Sequence, residues 1–277
     1  MPKTLTKIVF GFFGASVLFA AALRCVQLFL FTDTSTGFVL QEASASVSAV
    51  YILCVFAAAL CGIFFHKRLT PVDPFGKKEN RRLFYVCLLT GAAMFYDFVH
   101  QCVNCFSYAS RTTYLELNYL IPIFLTGITA LLCTFYFIIM GISFVTDKYD
   151  FRHLVYFHLT LAIWFVLGLL TSLTRYDDSY LAVENNLRYA VLFLGITFSL
   201  VLIRCIDGGS AKLKMLCFTG ASYSALSFIL SAPRIIAFIA GAKLSNTDHS
   251  FVSYLFTGIF AAVLTAETLK KQKLKEV

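Results

Sequence analysis

Tyr96-Asp97-Phe98-Val99-His100-Gln101-Cys102-Val103-Asn104 places an acid, an imidazole and two amides inside an otherwise apolar run from Leu83 to Phe106. At about 1.5 Å per residue, that run is long enough to cross a hydrocarbon core about 30 Å thick. A helix turns about 100° per residue, so Asp97, His100, Gln101, Asn104 and Tyr108 lie within roughly 60° either side of one line. Such a stripe must face protein or water, because lipid offers its polar groups no partners. One segment therefore predicts both a membrane helix and a neighbour for its polar side.

The rest of the chain has the same character. Of its 277 residues 59% are hydrophobic and 14% charged, 30 are Phe, and the mean hydropathy is +0.78. Ordinary soluble domains are about 45–50% apolar and about 25% charged. Apolar runs occur at Ile8–Phe31, Ala43–Phe65, Leu83–Phe106, Leu117–Val145, His153–Leu173, Leu187–Ile206, Leu213–Ala242 and Phe251–Leu269. Polar turns separate them, among them Pro71-Val72-Asp73-Pro74, Asp207-Gly208-Gly209-Ser210 and Asn246-Thr247-Asp248. The fold class expected is all-α: a single integral membrane domain over residues 1–277, a polytopic bundle of about eight transmembrane helices. Lipid is the first partner it needs.

Lys and Arg set the orientation. With the N-terminus in the cytoplasm, 17 of the 23 basic residues fall on inner segments and 4 on outer ones, with Arg24 and Arg234 inside spans. The alternation predicts an N-in, C-in topology in a plasma membrane. The net charge of +8 is accounted for by span ends rather than by nucleic acid. Lys3, Lys7 and Ala20-Ala21-Ala22 have the look of a cleavable signal peptide, but the apolar run continues to Phe31, longer than such a segment needs. A retained first helix is the expectation; cleavage would leave seven spans and an outside N-terminus.

Short motifs recur along the chain. Thr90-Gly91-Ala92-Ala93 returns as Thr219-Gly220-Ala221-Ser222, an offset of 129, and Thr126-Gly127-Ile128 as Thr257-Gly258-Ile259, an offset of 131. Glu42 and Glu184 open the second and sixth runs. These matches suggest a parallel 4+4 repeat with halves 1–146 and 147–277. Small residues at Gly11, Ala15, Ser44, Ser48, Ala58 and Gly62 fit close contact between the first two helices.

Arg24, with Gln27 one turn on, Asp97 and Arg234 all come to a similar depth in spans that run from inside to outside. Placing one Asp or Arg at a helix centre costs roughly 2.5–3.5 kcal/mol, which mutual pairing lowers. Two readings follow: an Asp97–Arg24 or Asp97–Arg234 ion pair fixing register, or an outward-facing pocket. In the second reading, the candidate substrate-binding residues are Arg24, Gln27, Asp97, His100, Gln101, Asn104 and Arg234. The guanidiniums would hold an anionic small molecule while Asp97 and His100 handle protons. Pro233 is expected to kink or break the seventh helix there. His158 and Glu267 are lone polar groups expected to be hydrogen-bonded or snorkelling, and Asp177-Asp178 to solvate a loop.

Other chemistries find no support. The nine cysteines are dispersed in or beside apolar runs and read as small buried hydrophobes, not a disulfide framework. In His100-x-Cys102-x-x-Cys105, Cys102 lies about 200° round the helix from His100, so one ion could not be held by both. No HExxH, GxSxG, P-loop or dinucleotide fingerprint occurs. No metal, cofactor or enzymatic activity is expected. The functions expected are a small-molecule permease or, alternatively, a membrane-embedded sensor or accessory subunit acting through a membrane protein partner.

Leu23-Arg24-Cys25-Val26-Gln27-Leu28-Phe29-Leu30-Phe31-Thr32-Asp33-Thr34-Ser35-Thr36-Gly37-Phe38 resembles an Arg-x-x-Gln…Asp-x-x-x-Thr-Gly-Phe pattern. The pattern is similar to one in uncharacterised multi-pass membrane proteins of Gram-positive anaerobic bacteria. The resemblance implies a bacterial plasma membrane and no particular activity.

Overall fold

The computed structural model describes residues 3–31, 44–68, 75, 80–111, 117–146, 154–174, 183–207, 212–241 and 250–270. They form eight helices: α1 (Lys3–Leu30), α2 (Ser44–Arg68), α3 (Arg81–Arg111), α4 (Leu117–Ser143), α5 (Leu159–Thr174), α6 (Val183–Ile206), α7 (Leu213–Ile239) and α8 (Phe251–Lys270). A 3-10 turn, Val155–His158, leads into α5. There is no strand among the described residues. Seven helices, all but α2, are long and apolar enough to cross a membrane; in α2 the apolar stretch, Ala45–Ala58, is shorter. Each helix ends within a few residues of an apolar run read from the sequence. The cause is shared: backbone in lipid must satisfy its own N–H and C=O groups, and a helix does so within one segment. The turns at Pro71–Pro74, Gly208–Ser210 and Asn246–Asp248, with Thr36-Gly37, Glu42 and Asp177-Asp178, lie outside the described residues, as do the side chains of Tyr108 and Glu184.

Six helices close a ring: α3 packs on α4, α4 on α5, α5 on α6, α6 on α7, α7 on α8, and α8 on α3. The α1–α2 hairpin lies against the outside of this ring, both helices on α7. Between the ring helices the core is filled by interlocked aromatic side chains. Phe137 of α4 meets Phe260 of α8 at 5.2 Å between ring centroids, and Phe198 of α6 stacks on Tyr223 of α7 at 5.7 Å. Tyr223 meets Phe165 of α5 at 5.5 Å, and Trp164 lies 4.9 Å from Phe165 and 5.5 Å from Tyr254 of α8. These edge-to-face and stacked pairs each add about 0.5–1.5 kcal/mol beyond their burial.

Lipid tails are as apolar as leucine, so helices in a bilayer associate through close packing and polar contacts rather than through water exclusion. Two glycines set the closest approach of α7 to α8. A Cβ on Gly220 would lie 2.6 Å from Thr265 Oγ1, and one on Gly258 would lie 2.9 Å from Ser227 Cβ. The α3–α4 hairpin has the same register: Gly91 faces the Thr134 carbonyl and Gly127 faces Gln101. These are the glycines of the repeated motifs. The likeness stays within the two hairpins, because α5 and α6 complete the ring whereas α1 and α2 stand outside it.

Two local expectations are corrected. Among the described residues, no heavy atom beyond its own turn of helix lies within 4 Å of a Cβ built on Gly11, and Ala15 is exposed. α1 packs instead through Val17, Ala20, Ala21, Arg24, Gln27 and Leu28, a stripe on another face. Of the kink or break expected at Pro233, the break does not occur: α7 continues to Ile239. The proline costs one backbone bond, to the Ile229 carbonyl, and packing on neighbouring helices tolerates that loss.

Gly258→Ala should lower the thermal unfolding midpoint of the protein in nanodiscs, by an overpacking cost of about 1–3 kcal/mol. Gly11→Ala, entering open space, should not lower it; an equal fall in both variants would contradict the packing described.

Candidate functional site

The periodicity that buries α3 also buries its acid. Leu83, Cys87, Thr90, Met94, Asp97 and Gln101 recur every three or four residues and turn inward, while Tyr85, Leu89, Tyr96, Val99 and Val103 face outward. Asp97 is 0% exposed. Its Oδ2 accepts a hydrogen bond from Trp164 Nε1 of α5 at 3.1 Å, and its Oδ1 accepts one from the Ser250 hydroxyl at 2.8 Å. Gln101 Nε2 stands 3.5 Å from the same Ser250 oxygen. Ser250 immediately precedes α8 and its carbonyl accepts the Tyr254 N–H. The carboxylate thus lies at the positive end of the α8 dipole, where negative charge is favoured.

Polar contacts continue along the α3–α8 seam. Ser253 Oγ donates to the Ala93 carbonyl at 2.9 Å, and Thr90 Oγ1 donates to the Phe256 carbonyl at 3.2 Å while also bonding Val86 within α3. Near the C-terminal end of α8, Arg82 and Glu267 approach to 3.8 Å. Asp97 is the charged member of a row of otherwise mostly neutral contacts.

The other candidates make contacts of their own. Arg24 donates to Gln27 Oε1 at 2.9 Å, and Gln27 Nε2 passes the contact to Ser46 Oγ of α2 at 2.9 Å. That group ties α1 to α2. Arg234 of α7 is 5% exposed, with its guanidinium carbon 6.0 Å from the centroid of the Phe251 ring at the start of α8. His100 and Asn104 are half-buried and pair with each other at 3.1 Å, while the His100 ring stacks on Tyr96. Of the stripe read from the sequence, Asp97 and Gln101 belong to the interhelical node; His100 and Asn104 form a pair along α3. His158 is buried against Tyr136.

Sequence reading missed Trp164, Ser250 and Ser46. Trp164 carried a usable signal: it is the chain's single tryptophan, and a buried indole N–H requires an acceptor. The two serines carried none, since hydroxyls in membrane helices commonly bond their own preceding turn. Among the described residues, no group of three or more His, Cys, Asp or Glu side chains could hold a metal ion.

No family model, curated protein or solved structure matches this chain.

Asp97→Ala should strand two buried donors, each costing about 1–3 kcal/mol, whereas Asp97→Asn keeps a carbonyl acceptor and should cost less. Because Trp164 is the single indole, its emission should shift in the alanine variant together with a lower unfolding midpoint. Emission identical to the parent's would show that the indole does not depend on Asp97.

Proposed function

We propose that this integral membrane protein is a permease-like carrier of a small polar solute, in a bacterial plasma membrane, with both chain ends on the cytoplasmic side. The observation that carries the reading is the fully buried Asp97 carboxylate, held by donors from two other helices of the six-helix ring. Ionisable groups are costly at membrane depth and mark substrate and proton pathways when they face a bundle interior. The matching glycine registers of the α3–α4 and α7–α8 hairpins support a duplicated hairpin as the repeated unit, and carriers built from repeats place the solute site near the midplane. All eight helices would span, and no catalytic step or cofactor is invoked.

The interlocked aromatic rings between the ring helices favour a second reading. In it the same node binds a ligand but nothing crosses, and a membrane protein partner carries the signal.

Proteoliposomes carrying the purified protein should accumulate at least one solute from a labelled metabolite panel, and Asp97→Asn should abolish that uptake. Undiminished uptake in the variant would remove Asp97 from the mechanism. Binding of a solute with no flux in the parent would replace the carrier with the sensor.

A further inference from the structure

Two cysteines toward the C-terminal end of α3 depart from the expectation that the thiols are small buried hydrophobes. Cys102 is exposed and Cys105 half-buried, whereas Cys87, Cys133, Cys205 and Cys217 are buried in the bundle. No other two cysteines of the chain stand three or four residues apart. Both belong to the continuous helix α3, so helix geometry sets their spacing. Three residues on, with about 4.5 Å of rise, their Cα atoms are about 5 Å apart. A disulfide spans about 4.4–6.8 Å between Cα atoms, so the backbone separation already suits one. The Cβ atoms, about 5–6 Å apart on a helix surface, must draw in to about 3.5–4.5 Å. A local tightening toward 3-10 geometry supplies that movement, because it eclipses residues i and i+3.

Depth puts the pair within reach of a water-borne reagent. α3 has 31 residues and is about 46 Å long, more than a hydrocarbon core of about 30 Å requires. From the exposed Arg82 at its start, about 30 Å of helix leads to Cys102, and Cys105 stands about 4.5 Å further on. At the same level His100 and Asn104 are half-buried and pair with each other, and Ser110 beyond them is exposed. Polar side chains left partly open in this way belong at the headgroup level rather than among lipid tails.

We propose that Cys102 and Cys105 form a dithiol site that closes to an intrahelical disulfide by exchange with a low-molecular-weight disulfide. The Cys102 thiolate, the more open of the two, attacks one sulfur of the reagent, whose other sulfur leaves as a thiolate. The Cys105 thiolate then attacks the Cys102 sulfur and expels the second. Two electrons pass from the protein to the reagent, and the two cysteine protons end on the released thiols. Gln101, whose amide stands 3.5 Å from the Ser250 hydroxyl, sits at the foot of the turn that tightens, so closure acts on α3 one turn beyond Asp97. A bridge held across a helix turn is strained and easily reduced, a property of regulatory rather than structural disulfides. The site stands apart from the carrier reading; its placement on the outer face alone rests on the orientation with both chain ends inside.

The test treats the full chain, reduced and in detergent, with oxidised glutathione, and reads intact mass and peptide maps. The parent should lose two free thiols, those of Cys102 and Cys105, retain no glutathione, and regain both thiols with dithiothreitol. Cys105→Ser should trap one glutathione on Cys102, and Cys102→Ser should form no bridge. A parent that keeps both thiols free, or that holds glutathione on Cys102 without closing, would overturn the proposal. Pairing of either cysteine with a third one, or between two chains, would overturn it as well. Orientation is read separately, with a membrane-impermeant maleimide on intact cells. Labelling of Cys102 before lysis supports the outer placement; labelling only after lysis would invert the chain in the membrane and leave the dithiol to be judged by its mass.

Discussion

A carboxylate in the middle of a membrane helix must be answered by donors on neighbouring helices, and the answer to Asp97 fixes how three helices stand. Its two oxygens take the indole N–H of α5 and the hydroxyl at the head of α8, at 3.1 and 2.8 Å. Neither donor lies near Asp97 in sequence, so each bond fastens a distant part of the chain to α3. Trp164 then extends the constraint, since the indole that reaches Asp97 also packs on Phe165 and Tyr254. Polar node and aromatic core are joined at one side chain.

The remaining cohesion is of another kind. Glycine at 220 and 258 lets α7 and α8 come close enough for Tyr223 and Ser227 to bond across the seam. Along α3 and α8 the contacts run mainly from side-chain hydroxyls to backbone carbonyls, each worth about 1 kcal/mol or less in a membrane. Many modest contacts surround one demanding one. A substitution on the seam should therefore loosen the bundle gradually, whereas loss of the acid leaves buried donors without partners.

How much of this was legible in the sequence depends on which solvent enforced it. Helix positions were, because lipid penalises unpaired backbone wherever it occurs; the run Leu213–Ala242 matches α7 (Leu213–Ile239) closely. Inward faces were legible where a polar stripe demanded one, as at Asp97 and Gln101. Helix neighbours were not, since a periodic pattern names a face and not what covers it. Hence depth alone named Arg24 and Arg234 as partners for Asp97 and could not name the neutral Trp164 and Ser250, which donate to its two oxygens. Small residues misled in α1, where Gly11 and Ala15 lie away from packed neighbours among the described residues. At Pro233 in α7 one missing backbone bond did not end a helix packed on its neighbours.

The central claim is that Asp97 and the head of α8 act as one unit. A double-mutant cycle between Asp97→Ala and Ser250→Ala, read as unfolding free energy in nanodiscs, tests it most directly. The account predicts that the two losses overlap, leaving a coupling of about 0.5–3 kcal/mol. Losses that add to within about 0.3–0.5 kcal/mol would mean that the two residues are independent, and the node would no longer explain the fold.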